Sequence, residues 1–182
     1  MQARGGEVKT DELTRLLLEA ADGDQLALSG FVRRTQEDIW RFCAHLLDPA
    51  SADDLSQEVY LRAMRSVPRF RGDASAKTWL FAIARNTAAD EIRRRRRRRR
   101  LPDPAPLDVP DDAGLVALRH LIEALDPDRR EAFVLTQVIG LSYAETAEVC
   151  GVAIGTNRSR DARARADLVG RLVAAETGDA GA

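Results

Sequence analysis

Residues 141–165 read LSYAETAEVCGVAIGTNRSRDARAR. Ser142 stands where a helix N-cap belongs, and Glu145 follows three residues later, so the pair predicts a capping box that fixes the start of a short helix. Gly151 breaks that helix, and a second one follows from about Gly155 to Val173. Its first turns carry Thr156, Arg158, Ser159, Arg160, Arg163 and Arg165. A helix, a tight glycine turn and an arginine-loaded helix make a helix-turn-helix, whose second helix offers donors to phosphates and base edges in a major groove. Arginines alone would read equally as a solvated face. The capped helix ahead of them tips the reading toward DNA.

Upstream, apolar spacing predicts helices over about Leu115–Leu125 and Pro127–Val138, with breaks at Asp126-Pro127 and Gly140. Before these lies Leu101–Asp112, which holds Pro102, Pro104, Pro106 and Pro110 together with Asp103, Asp108, Asp111 and Asp112. Such a segment cannot be helical and reads as an extended, acidic, solvated linker. It divides the chain into a first module over 11–100 and a second over 113–175. The first module has an apolar-striped helix within Asp11–Leu28, a second to Leu47 stopped by Asp48-Pro49, and a third starting at Ser51–Asp54. The stretch Pro68–Ser75 reads as a loop, and a helix with Trp79, Leu80, Ile83, Ala84 and Ala88 on one face runs on into the arginines Arg93–Arg100. That run is either a disordered basic tail or the basic end of a folded DNA-binding helix, and its continuity with the striped helix favours the latter. The fold class expected is all-α, as two small helical domains.

Composition agrees. Of 182 residues, 45% are hydrophobic, 31% charged and 5% aromatic, which describes a globular chain rich in helix formers. The net charge of −1 conceals a basic run followed by an acidic one, and local basicity matters more for nucleic acid than the total. No stretch approaches the roughly 20 apolar residues of a membrane span, and the start lacks a leader pattern, so a cytoplasmic location is expected. Cys43 and Cys150 have no neighbours at metal-ligand spacing and read as small core residues. His45 and His120 have no paired nucleophile, and no Gly-rich phosphate loop occurs, so no catalytic constellation, metal site or cofactor is expected.

Three segments then carry a specific resemblance. DDLSQEVYLRAMRSVPRFRG (53–72), TWLFAIARNTAADEIRRRRR (78–97) and LDPDRREAFVLTQVIGLSYAETAEVCGVAIGT (125–156) resemble, in order, the core-docking, minus-ten and minus-thirty-five segments of sigma factors. The shortness of the set resembles the extracytoplasmic-function group of the sigma-70 family. The resemblance implies a non-enzymatic subunit that carries core RNA polymerase to promoters and helps melt them. It places Asp53, Asp54, Gln57 and Glu58 on the motif that docks on the clamp helices of the polymerase large subunit, although Asp53 also reads as a helix cap. The loop Gly72–Thr78, with Arg71, Asp73, Ser75, Lys77 and Thr78, matches the loop that captures a flipped non-template base. Arg85, Asn86, Asp90, Arg93 and Arg94 match the promoter-facing helix, and Trp79 reads equally as core or as a DNA contact. Ser142, Tyr143, Thr156, Arg158, Ser159, Arg160 and Arg163 fall on the minus-thirty-five reader. The acidic linker would thread the polymerase's positive channels, or serve as an inert spacer. Implied partners are core polymerase, through its clamp helices and flap, promoter DNA, and an anti-sigma protein that covers the same surfaces.

One departure stands out. Where the family places aliphatic residues, this chain has Asn157 and Asp161, four apart on the stripe that continues to Ala164 and Leu168 and should face the preceding helix. Burying an unpaired polar group costs about 1–3 kcal/mol. Either the helix is rotated so that both are partly exposed, or they are buried and loosen a module with little stability to spare. Two rival functions remain at this point. A helix-turn-helix repressor would bind operator DNA without polymerase, and a recombinase would need catalytic residues.

Overall fold

The computed structural model describes residues 11–98 and 113–179, and among these residues every regular element is helical. The linker 101–112, the first ten residues and Arg99-Arg100 lie outside the described residues. The first body consists of α1 (Glu12–Ala21), α2 (Gln25–Leu46), α3 (Pro49–Ser66), a 3-10 turn (Val67–Arg69) and α4 (Ala76–Arg98). The second consists of α5 (Ala113–Glu123), α6 (Pro127–Phe133) running into a π-helical turn (Val134–Val138), α7 (Tyr143–Cys150) and α8 (Ile154–Asp179).

Caps set the boundaries, and two of them differ from the sequence reading. The break between the first two helices, expected at about Leu28, falls earlier, because Gly23 takes φ +103° and Asp24 caps α2 by accepting from Leu26 N at 2.8 Å and Ala27 N at 3.0 Å. Asp48-Pro49 ends α2 and also begins α3: Asp48 accepts from Ser51 N at 2.9 Å and Pro49 occupies the first turn, where a missing N–H costs nothing. The cap is therefore Asp48 rather than a residue within 51–54. At α7 the expected capping box forms in both directions, with Ser142 Oγ accepting from Glu145 N at 3.2 Å and Glu145 Oε2 from Ser142 N at 2.9 Å. Gly151 closes α7 in the left-handed conformation, φ +65°.

The first core gathers Leu17, Phe31, Ile39, Phe42, Leu80 and Phe81, with the rings of Phe42 and Phe81 edge to face at 5.3 Å between centroids. Thr14 Oγ1, buried, accepts from the free Ala76 N at 2.8 Å and so ties α1 to the start of α4. In the second body Ile122, Leu125, Val134, Leu135, Ile139 and Leu168 are buried, and they form one continuous hydrophobic cluster with the first. Cys43 and Cys150 are both buried and unbridged, and burial pushes their thiols up to about 11 and about 12, so both act as packing residues.

The two bodies pack on each other. Helix α4 lies against α7, while α2 meets α5 and the π turn. Lys77 Nζ donates to Ile139 O at 2.8 Å, Arg85 Nε to Glu131 Oε1 at 2.8 Å, and Ser75 Oγ to Glu145 Oε1 at 3.4 Å.

Candidate polymerase-docking and promoter-reading surfaces

Between α2 and α3 runs an open, largely apolar groove of about 870 Å³, floored by Val32 and Tyr60 and edged by Trp40, Leu61 and Met64. Leu61 is 51% exposed, Met64 44% and Trp40 39%. Three large apolar side chains converging on one groove form a contiguous exposed patch of the kind that marks a candidate docking surface, whereas scattered exposed residues would need no explanation. Asp53 accepts from Trp40 Nε1 at 2.8 Å and holds the indole on the groove. That bond, with Asp48 doing the capping, settles the two readings of Asp53 against a capping role. Asp54 and Gln57 are exposed on the same helix, and Gln57 lines the groove. Glu58 points away from it into a charge chain: it accepts from Arg62 Nε at 2.7 Å, and Arg62 reaches Asp90 on α4 at 2.7 Å. Of the residues singled out in the sequence, Asp53 and Gln57 line the groove, and Trp40, Leu61 and Met64 were not singled out. An amphipathic pattern that leaves apolar residues over after the core face is filled was the available signal.

Helix α4 continues through the arginines to Arg98, which makes the described part of the run helical. Arg95 is stapled to the start of α3, donating to Asp48 Oδ2 at 2.5 Å and to Ser51 Oγ, and to Glu91 on its own helix at 3.0 Å. Asn86, Arg93 and Arg94 are exposed. Arg93 pairs with Asp90 at 2.5 Å and Arg94 with Glu91 at 2.8 Å, both on their own helix. Hydrogen bonds from Arg62 and Arg93 hold the Asp90 carboxyl below the usual carboxylate range, so its oxygens are committed within the protein.

Of the loop residues, Arg71 and Asp73 are exposed, and Arg71 leans on the carbonyls of Pro68 and Phe70 at 3.4 Å each. Ser75 and Thr78 cap α4 together: Ser75 Oγ accepts from Thr78 N at 3.1 Å, and the two hydroxyls meet at 2.8 Å. Thr78 is only 2% exposed, which withdraws it from the surface expected of it. Trp79 is half-buried with its ring 5.4 Å from that of Phe70, on the core side of its two readings. Lys77 and Arg85 face the second body through the contacts above, and Lys77 also pairs with Asp38 at 3.0 Å.

On the second body, Thr156, Arg158, Ser159 and Arg163 are exposed along the first turns of α8, and Ser142 is exposed at its cap. The Arg158 guanidinium lies over the Tyr143 ring, 5.6 Å from its centroid. Arg160 is turned aside to Asp128 on α6. The stripe Asn157, Asp161, Ala164 and Leu168 faces inward as spaced, and Asn157 and Asp161 are both 0% exposed. The rotated-helix alternative is thereby corrected. Asp161 is surrounded by polar partners, Thr136, Gln137, Tyr143 and Arg165. Asn157 makes one long bond, Nδ2 to Tyr143 O at 3.4 Å, and its buried Oδ1 has no partner within the protein. The loosening expected of the pair therefore rests on Asn157 alone. Replacing Asn157 by Val is expected to raise the stability of the folded chain by about 1–3 kcal/mol, the desolvation penalty of one unpaired group. Thermal unfolding followed by circular dichroism checks this, and no rise in Tm would refute it.

Among the described residues no His/Cys/Asp/Glu group is placed to hold a metal ion, and no helix is long and apolar enough to cross a membrane.

With these surfaces in place, likeness to known proteins is specific. Residues 31–98 match the family Sigma-70 region 2, and residues 115–168 match Sigma-70, region 4. The chain is 47% identical over 167 residues to the ECF RNA polymerase sigma factor SigC of Mycobacterium tuberculosis, a match covering 87% of this chain and 90% of that one. It is 30% identical over 179 residues to the ECF RNA polymerase sigma-E factor of Escherichia coli, covering 87% and 92% respectively. Among solved structures it is similar to CnrH in complex with the cytosolic domain of CnrY, with TM-score 0.75 and 28% identity over 90% of this chain and 99% of that one. It is likewise similar to the sigma factor RpoE in complex with the anti-sigma factor NepR from Bartonella quintana, with TM-score 0.70 and 29% identity over 78% and 93%. The two family matches and a 47% identity spanning 87% of the chain, borne by an all-helical fold with an arginine-ended helix and a helix-turn-helix, place the chain in the extracytoplasmic-function group of sigma-70 family sigma factors.

Proposed function

We propose that this sigma factor docks on core RNA polymerase through the α2–α3 groove and reads a bipartite promoter with α4 and α8, melting the minus-ten element. The observation that carries this is the groove itself: Trp40, pinned by Asp53 beside Leu61 and Met64, is an apolar helix-binding surface that a stand-alone DNA-binding protein does not need. The module boundaries we assign are 11–100 for docking and minus-ten recognition, 101–112 for the linker, and 113–175 for minus-thirty-five recognition. Core contacts are assigned to Asp53, Asp54 and Gln57 with Trp40, Leu61 and Met64. Minus-ten contacts are assigned to Arg71, Asp73, Asn86, Arg93 and Arg94, joined by Ser75, Lys77 and Arg85 once the second body moves off α4. Minus-thirty-five contacts are assigned to Ser142, Tyr143, Thr156, Arg158, Ser159 and Arg163. The protein acts as a regulatory subunit in the cytoplasm, where polymerase and chromosome are. Since CnrH and RpoE are each seen bound to another protein, the second with an anti-sigma factor, an anti-sigma partner is assigned to the same surfaces here.

The test mixes the purified chain with core polymerase and a supercoiled promoter library. Initiated transcripts that require both components are expected. A chain that binds duplex operator tightly by itself and yields no transcripts would instead be a repressor, and one that cuts or joins DNA would be a recombinase.

A further inference from the structure

Asp161 belongs to the recognition helix, yet its carboxylate is wholly buried and draws donors from three elements. Thr136 Oγ1 lies 3.0 Å from Oδ1, its single proton shared with Ala132 O at 2.8 Å, and Gln137 Nε2 donates to the same oxygen at 3.3 Å, both from the π turn that follows α6. Tyr143 OH, from the first residue of α7, donates to Oδ2 at 2.8 Å, and Arg165 Nη2, one turn along α8, pairs with Oδ2 at 3.0 Å. A carboxylate has about four acceptor positions, and four polar groups of the protein stand around these two oxygens. The π turn is the backbone irregularity that meets this carboxylate: Ile139 N bonds back five residues to Val134 O at 2.9 Å, and the widened turn carries Thr136 and Gln137.

Directional bonds to fixed donors set the rotation and axial position of a helix more sharply than apolar packing, which is indifferent to direction. The network also continues to the outer face. The bond to Asp161 raises the Tyr143 hydroxyl above its ordinary range, so it stays a proton donor, and Arg165 Nη2 lies 3.4 Å from the same hydroxyl. The Tyr143 ring in turn underlies the Arg158 guanidinium.

We propose that Asp161 is a positioning residue for promoter selection: it locks α8 to the π turn and to Tyr143, and through the Tyr143 ring it fixes the direction in which Arg158 meets the minus-thirty-five element. This rests on α8 being the minus-thirty-five reader. An aliphatic residue at 161 would pack the helix but leave Tyr143 and Arg165 unanchored, so fidelity would be lost without loss of fold, because no charge is stranded: the Arg165 side chain is 52% exposed and can turn to water.

The test uses the full chain with core polymerase on promoters that share one minus-ten element and differ at single minus-thirty-five positions. Wild-type protein is expected to discriminate among them. For Asp161→Leu, Tm is expected to hold or rise while the ratio between best and mismatched promoters falls about tenfold, the scale of one oriented base contact. Tyr143→Phe, which keeps the ring and removes only the hydroxyl, is expected to lower the same ratio several-fold, and it decides the matter if Asp161→Leu does not fold. Unchanged discrimination in either folded variant overturns the inference. A wild-type holoenzyme indifferent to the minus-thirty-five sequence overturns the reading of α8, and this inference with it.

Discussion

Trp40→Ala is expected to weaken association with core polymerase about 30-fold or more while leaving the fold intact. Trp40 is 39% exposed and its one polar atom is held by Asp53, so the indole contributes a rigid apolar plate to the groove rather than to the core. An aromatic anchor at the centre of an interface typically carries about 2 kcal/mol or more, which corresponds to that factor in Kd. The flanking Leu61 and Met64, 51% and 44% exposed, would exclude water around it. Fluorescence anisotropy of labelled chain against core polymerase measures the loss, and circular dichroism confirms the fold. Asp53→Ala should show a smaller loss, because it frees the indole without removing it. Equal affinity of Trp40→Ala and wild type would remove the groove from the docking surface.

Glu131→Ala is expected to separate the two bodies. Glu131 is 9% exposed on α6 and accepts from Arg85 on α4 at 2.8 Å, so it forms an ion pair between α4 and the second body. Without it, Arg85 is left half-buried with no carboxylate, a condition relieved only if α4 and α6 part and water reaches the guanidinium. Loss of a hydrogen bond to a charged group is worth about 1.5–3 kcal/mol, enough to shift an interface in which it acts beside the packing of α4 on α7 and the Lys77 to Ile139 O bond. Small-angle scattering should report a larger radius of gyration, and limited proteolysis should cut faster between the bodies. The opening matters for function because Ser75, Lys77 and Arg85 cannot touch DNA while they touch the second body. An unchanged radius would show that apolar packing alone, without the ion pair, holds α4 on α7.

Much of this was legible beforehand because its causes are local. A capping box depends on residues three apart, so Ser142 and Glu145 announce α7 by themselves. A stripe at 157, 161, 164 and 168 names the inward face of α8 from helical geometry alone. The two boundary errors were also local, but ambiguous: Asp48-Pro49 serves as stop and start because proline is excluded from a helix interior and welcome in its first turn. The apolar half of the docking groove was harder to see, since Trp40, Leu61 and Met64 look like core residues until the core is full.

What the chain determined alone was its helices, their caps, the inward stripes and the order of modules matching the sigma-factor family, because each follows from spacing within a few residues or a few turns. What only the tertiary structure decided was partnership across long separations. Asp161 looked like a defect until Thr136, Gln137 and Tyr143 arrived around it, and Asn157 remains one because nothing arrived at its Oδ1. That Arg85 meets Glu131, 46 residues away, was likewise invisible in the order of residues. A polar side chain's cost or benefit depends on which donor or acceptor stands within about 3 Å, and that distance is set by the packing of helices, not by the order of residues along the chain.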